Sequence, residues 1–188
     1  MLTPDLVGVA QGSHAFLGFG IDRARRFRRR ALSIDDLMGL GSLTPEIAQF
    51  VTGPFQNALA HDEVAVEAVI PAPKGTVAGG YLKLERRVGD FATAGAAVAL
   101  EMSGAVVTRA GIALTGVGGS TIDAADAAHA LVGGPLTADS IGRAADLAAQ
   151  AAQPRTDHRG SADYKRHIVR TFVERILTRV AQPTERAA

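Results

Sequence analysis

The chain has 188 residues, 47% hydrophobic and 21% charged, with a formal net charge of +1, an ordinary globular composition for one domain or slightly more. It contains no cysteine, which excludes disulfides, thiolate metal sites, iron–sulfur ligation by this chain and a cysteine nucleophile. No apolar run approaches the roughly 18 residues of a spanning helix and no secretory signal is legible, so an intracellular protein without a chain-wide basic field for nucleic acid is expected.

Residues 1–45 resist a folded reading. Gly8, Gly12, Gly18 and Gly20 interrupt the apolar runs, and Arg23, Arg25, Arg26, Arg28, Arg29 and Arg30 follow directly. The arginine block reads either as a phosphate or RNA patch or as a solvated, disordered segment. Only Phe27 accompanies it, which offers little for base stacking. Two short helical turns fit the sequence here. Ser33 can cap Ile34–Met38, and Thr44 can cap a turn opened by Pro45.

The text becomes regular after residue 50. Val64, Val66, Ala68 and Ile70 alternate with Ala65, Glu67 and Val69, then Pro71, Pro73 and Gly75 end the run; this predicts a strand and a turn. A second strand is predicted at Gly80–Arg86. Ala96–Met102 and Ala105–Gly116 read as a hairpin joined at Ser103–Gly104.

Helical signals follow. Ser120 or Thr121 can cap Ile122–Val132, with Gly133–Gly134 as the stop, and Thr137 can start a helix that ends near Pro154. Ser161 caps a last helix in which Tyr164, Ile168, Phe172, Ile176 and Val180 recur every four residues beside Val169, Val173 and Leu177. Lys165, Arg166, Arg170, Glu174 and Arg179 occupy its remaining faces. Strands first and helices afterwards predict an α+β fold: a small antiparallel sheet of three main strands packed with about three helices, preceded by an irregular N-terminal segment.

Several motifs carry no chemistry. Thr115–Ser120 (TGVGGS) lacks the lysine of a Walker loop and the third glycine of a dinucleotide fingerprint, so it reads as a turn. His14, His61, His129, His158 and His167 show no metal spacing. No nucleophile elbow is present, so no catalytic and no metal residue is assigned. Tyr81–Phe91 is different. It sets Lys83, Glu85, Arg86, Arg87 and Asp90 between two aromatics. A lysine on a strand can hold a phosphate, ribose or ring carbonyl as a point charge, and an aromatic can lie against a flat cofactor. Spacing alone leaves paired charges on a sheet face equally open.

Four ordered stretches resemble one family. YLKLERRVGDFATAGAAVAL (Tyr81–Leu100) is similar to the C-terminal domain of the flavoprotein (medium) subunit of aerobic carbon monoxide dehydrogenases, within the xanthine oxidase-like molybdenum hydroxylases. Gly53–Pro73 resembles the lead-in to that domain, Gly111–Gly133 its third strand and first helix, and Asp157–Leu177 its closing motif and last helix. The similarity runs from about Gly53 to Val180. It suggests a leader over residues 1–50, either disordered or unrelated to the family, the domain proper over 51–182, and a tail at 183–188.

The resemblance implies the FAD-side subunit, or a C-terminal fragment of it, of a three-component oxidoreductase. A large subunit would carry the molybdenum cofactor and a small subunit two [2Fe–2S] clusters, with FAD passing electrons to a quinone or other acceptor. A cytoplasmic location follows, or one at the inner face of the membrane through those partners, with no nucleic acid involved. Lys83 matches a lysine that approaches FAD in the family's K-x-x-R-R motif. Phe91 stands where members place a Tyr or other aromatic near the isoalloxazine, and it can stack but not hydrogen-bond. Ala65 stands where the family has a Leu on the cofactor, a loss worth about 2 kcal/mol at full burial. Arg86, Arg87 and Asp90 match the motif and read as structural or as facing the iron–sulfur subunit. The glycine-rich segments of the family's FAD domain, of the A-G-G-x-S and T-I-G-G kind, do not occur, so a truncated flavoprotein subunit is expected. The alternative is a cofactor-free interaction or assembly domain.

Overall fold

The computed structural model describes residues 26–31, 42–43, 47–61, 63–69 and 72–182. The chain forms two compact units, Asp22–Pro73 and the part from Lys74 onward. In the first, strands β1 (Arg26–Ala31), β2 (Ser42–Leu43) and β5 (Glu63–Val69) form a three-stranded sheet in the order β2-β1-β5. A four-residue helix α1 (Ile47–Phe50) and the pair β3 (Val51–Gly53) and β4 (Gln56–Asn57) lie between. Four of the six clustered arginines, Arg26, Arg28, Arg29 and Arg30, thus belong to a strand, antiparallel to β5 with a register shift between Arg28 and Arg29. Strand β5, which periodicity alone groups with the strands after it, pairs here with β1, because pairing partners are set by the chain's long-range contacts and not by alternation. The expected turn at Ile34–Met38, the Thr44–Pro45 start and the tail at 183–188 fall outside the described residues.

The second unit contains the motifs of interest. Strands β6 (Thr76–Leu84), β7 (Ala94–Ser103), β8 (Val106–Thr115) and β9 (Ile122–Asp123) form an antiparallel meander in sequence order. The predicted hairpin forms: Ser103 pairs with Val106 across Gly104–Ala105, and Gly104 takes φ of 61°, the positive value that a tight hairpin needs at its first central position. Strand β6 begins four residues before its predicted start and stops at Leu84.

Helices α2 (Ala125–His129), α3 (Ala138–Ala151) and α4 (Ala162–Ala181) complete the α+β architecture. Thr137 caps α3 reciprocally with Ser140, and the Ser161 hydroxyl accepts from the Tyr164 N–H at the start of α4. The expected helix over Ile122–Val132 is corrected to five residues. Ile122 and Asp123 are taken instead as a strand against Leu114 and Ala113, and no side chain caps Ala124.

The core is built from Ala, Val, Leu and Ile, as the scarcity of aromatics requires. Val98, Leu100, Ile112 and Leu114 of the sheet meet Ala144, Ala145 and Ala148 of α3 and Val169, Val173 and Leu177 of α4. The predicted stripe on α4 is rotated: Tyr164 is an exposed rim residue, and the deepest line runs 165, 169, 173, 177 at the four-residue helical spacing. Lys165, placed by sequence among the solvent-facing charges, is on that line and only 3% exposed.

Candidate functional site

Residues directly opposite in an antiparallel sheet share a face. Leu82 packs on the core, so Lys83 and Tyr81 point to the other side of β6. Across from them stand Gly95 and Ala97 on β7, then Thr115 and Ala113 on β8. This corner is floored by small residues. A Cβ on Gly95 would come within 2.8 Å of the Thr115 methyl and 3.4 Å of the Tyr81 hydroxyl. Burial, and secondarily the Glu85 carboxylate, raise the Tyr81 phenol above its ordinary value.

Lys83 is about one-fifth exposed and has two partners. Its ammonium forms an ion pair with Glu85 and donates to the Asp90 carbonyl at 3.2 Å. An ammonium carries three donors, so these acceptors leave one N–H for a ligand.

Asp90 is the hub of the β6–β7 connection. Its Oδ1 accepts from the Phe91 backbone N–H at 2.8 Å and from Arg159 Nη2 at 3.2 Å, while Oδ2 lies 3.9 Å from Arg86 Nε. Arg159 Nη1 donates to the Phe91 carbonyl at 3.0 Å. The arginine stands on a narrow turn in which Asp157 and Gly160 exchange backbone hydrogen bonds at 3.1 Å each way. Asp157 in turn accepts from the Arg159 N–H at 2.8 Å and pairs with Lys165 at 2.7 Å. Lys165 also donates to the Arg155 carbonyl at 2.8 Å, which satisfies its buried charge.

These partners hold both carboxyls below the usual range. The Phe91 N–H is the main cause for Asp90, with Arg159 and Arg86 helping. The Lys165 ammonium is the main cause for Asp157, followed by the Arg159 N–H. A lowered folded value means stabilisation that is present above the unfolded carboxyl pKa, about 3.9, and lost as pH falls through the folded value. Asp157→Asn is therefore expected to lose less of its Tm than the native chain between neutral and strongly acid pH. Parallel Tm–pH profiles check this; identical acid slopes would refute it.

Lys83, near the end of β6, is tied through the Asp90 carbonyl to the β6–β7 connection that carries Phe91. Phe91 is 61% exposed. Ala65 is an exposed residue of β5, where it pairs with Arg29 of β1. Sequence reasoning missed Arg159 and Lys165. The one signal for them was that both belong to the 157–177 stretch singled out by resemblance. Among the described residues no group of three or more His, Asp or Glu side chains forms a metal site, and no helix is long and apolar enough to cross a membrane.

Comparisons with known proteins agree on one domain. Residues 80–180 match the family model described as the CO dehydrogenase flavoprotein C-terminal domain. The chain is 37% identical over 128 residues to the carbon monoxide dehydrogenase medium chain of Hydrogenophaga pseudoflava, covering 68% of this chain and 45% of that one. It is 32% identical over 164 residues to the 6-hydroxypseudooxynicotine dehydrogenase complex subunit alpha of Paenarthrobacter nicotinovorans, covering 82% and 55%. A solved structure of the Hydrogenophaga pseudoflava carbon monoxide dehydrogenase, in a form lacking the Mo-pyranopterin moiety, superposes with a TM-score of 0.74 at 34% identity, over 83% of this chain and 52% of that chain. The chain thus spans about half the length of the relatives it matches.

Proposed function

Because the chain belongs to the CO dehydrogenase flavoprotein C-terminal domain family, we propose that it forms the flavin-side part of a molybdenum hydroxylase, with the β6–β7 corner facing FAD. The observation that carries this reading is the corner itself. One lysine N–H is left over at the end of β6 after two internal acceptors, and an exposed aromatic stands on the connection that follows. That donor set fits the flavin part of FAD. It holds no arrangement of backbone N–H groups for a pyrophosphate, which other parts of a full-length subunit would supply.

In this role Lys83 binds through its remaining N–H and places positive charge beside an anionic or carbonyl oxygen. Phe91 covers an apolar ring face and excludes water. Asp90 and Glu85 orient Lys83. A bound FAD would supply electron carriage between the iron–sulfur clusters of a small partner subunit and a quinone or other acceptor, with the molybdenum cofactor in a large subunit. The complex would be cytoplasmic, or held at the inner membrane face by its partners. Relatives named for carbon monoxide, nicotine, glyceraldehyde and caffeine share this domain, which supports placing substrate choice in another subunit.

Titration of the full chain with FAD tests the reading. Micromolar binding, seen as quenching of flavin fluorescence, is the expected result. Absence of binding both by the chain alone and by the chain purified with its partner subunits would leave a cofactor-free assembly domain instead.

A further inference from the structure

We infer that Arg159 is the positioning residue of the flavin-facing loop: from a turn 69 residues away in sequence it grips Asp90 and Phe91 and so fixes what Lys83 and Phe91 present. This inference rests on the flavin reading for its purpose, but not for its geometry.

Three features separate this contact from an ordinary surface ion pair, which contributes little. The guanidinium spans two different acceptors, a carboxylate oxygen at 3.2 Å and a main-chain carbonyl at 3.0 Å, using the planar fork that lysine lacks. Its side chain is only 20% exposed. Its base is rigid, because Asp157 is tied to the Arg159 N–H and to Lys165, which stands on the buried line of α4. A chain of fixed contacts therefore runs from the helix core through the 157–160 turn to the 85–92 loop.

On the loop side the consequence is specific. Asp90 uses one carboxylate oxygen for both the Phe91 N–H and Arg159, while its carbonyl accepts from Lys83. Releasing Arg159 removes the outside anchor of the Asp90 carboxylate and the Phe91 carbonyl, the groups on either side of the Asp90–Phe91 peptide. The Asp90 carbonyl then turns away from Lys83, and the ammonium settles on Glu85 alone. Arg159 acts through Asp90 and Phe91.

The test uses the full chain. Amide hydrogen exchange is followed in the segment 86–93 for the native protein, Arg159→Met and Arg159→Lys, with Arg170→Met as a control that removes an exposed helix pair to Asp146 and Glu174. Arg159→Met is expected to speed exchange in 86–93 by about tenfold, as loss of a charge-assisted pair allows, with exchange on α4 beyond its first turn unchanged. Arg159→Lys should recover part of the protection, and the control should leave the segment alone. Unchanged exchange in Arg159→Met overturns the proposal. Should that variant fail to fold, Asp90→Asn, which keeps the acceptor but loses the charge, is read in the same way. FAD titration of the same set separates the two readings. Tighter binding by the native chain than by Arg159→Met supports both. Faster exchange in a chain that never binds flavin overturns the cofactor reading alone, and equal FAD affinity in the two proteins overturns the positioning role.

Discussion

Replacing Gly79 with alanine is expected to destabilise the chain by about 3 kcal/mol, a large effect for one methyl group. Gly79 faces Ala99 across the β6–β7 pair. A Cβ there would stand 2.1 Å from the Val98 carbonyl oxygen and 3.1 Å from the Ala99 Cα. Both neighbours are backbone atoms of β7, the strand hydrogen-bonded on both sides by β6 and β8. Val98 is also sealed in the core at 1% exposure. The central strand cannot move aside, so β6 must, and it carries Tyr81 and Lys83 with it. Gly104→Ala is the contrast. Its φ of 61° disfavours alanine but nothing lies within 4 Å, so only the backbone cost of about 1 kcal/mol is expected. Urea denaturation of the two variants decides the matter, and a Gly79→Ala chain within about 0.5 kcal/mol of the native one contradicts the packing described here.

The hairpin and the two long helices were legible in the sequence because their signals are local. Alternation over Ala96–Met102, a glycine at the turn, and Thr137 and Ser161 ahead of helical runs are all read within one element. Strand β9 was not legible, since Ile122 and Asp123 join Leu114 and Ala113 only after the Thr115–Ser120 turn folds back. The pairing of the arginine strand with β5 was hidden for the same reason. Sequence patterns fix which face a residue takes, and strand partners are chosen by packing that no window contains.

The site divides along the same line. Lys83 and Phe91 are singled out by the resemblance of their motif, whereas spacing alone does not distinguish the two acceptors that hold Lys83 from charges scattered on a sheet face. Lys165 was misplaced because lysine at a helical position reads as solvated by default. Its burial depends on Asp157 and the Arg155 carbonyl, both outside the helix. Arg159 joins its partner over 69 residues, a distance at which charge patterning carries no signal.

Lys83→Met is expected to weaken FAD binding about thirtyfold, or roughly 2 kcal/mol, the usual worth of a hydrogen bond from a charged donor. Two losses add. The donor itself goes, and the Glu85 carboxylate, about one-quarter exposed and paired with Lys83 in the native chain, is left to repel an anionic ligand. Glu85→Gln provides the opposite case. It removes the competing charge while leaving the Asp90 carbonyl to hold the ammonium at 3.2 Å, so affinity should match or exceed that of the native chain. A purely structural lysine gives another pattern: Lys83→Met would lower Tm while Glu85→Gln lowered it too, with flavin affinity flat across the series. Fluorescence titration and Tm measured on the same three proteins therefore distinguish a ligand-binding ammonium from an internal salt bridge, and equal affinities would remove Lys83 from the cofactor site.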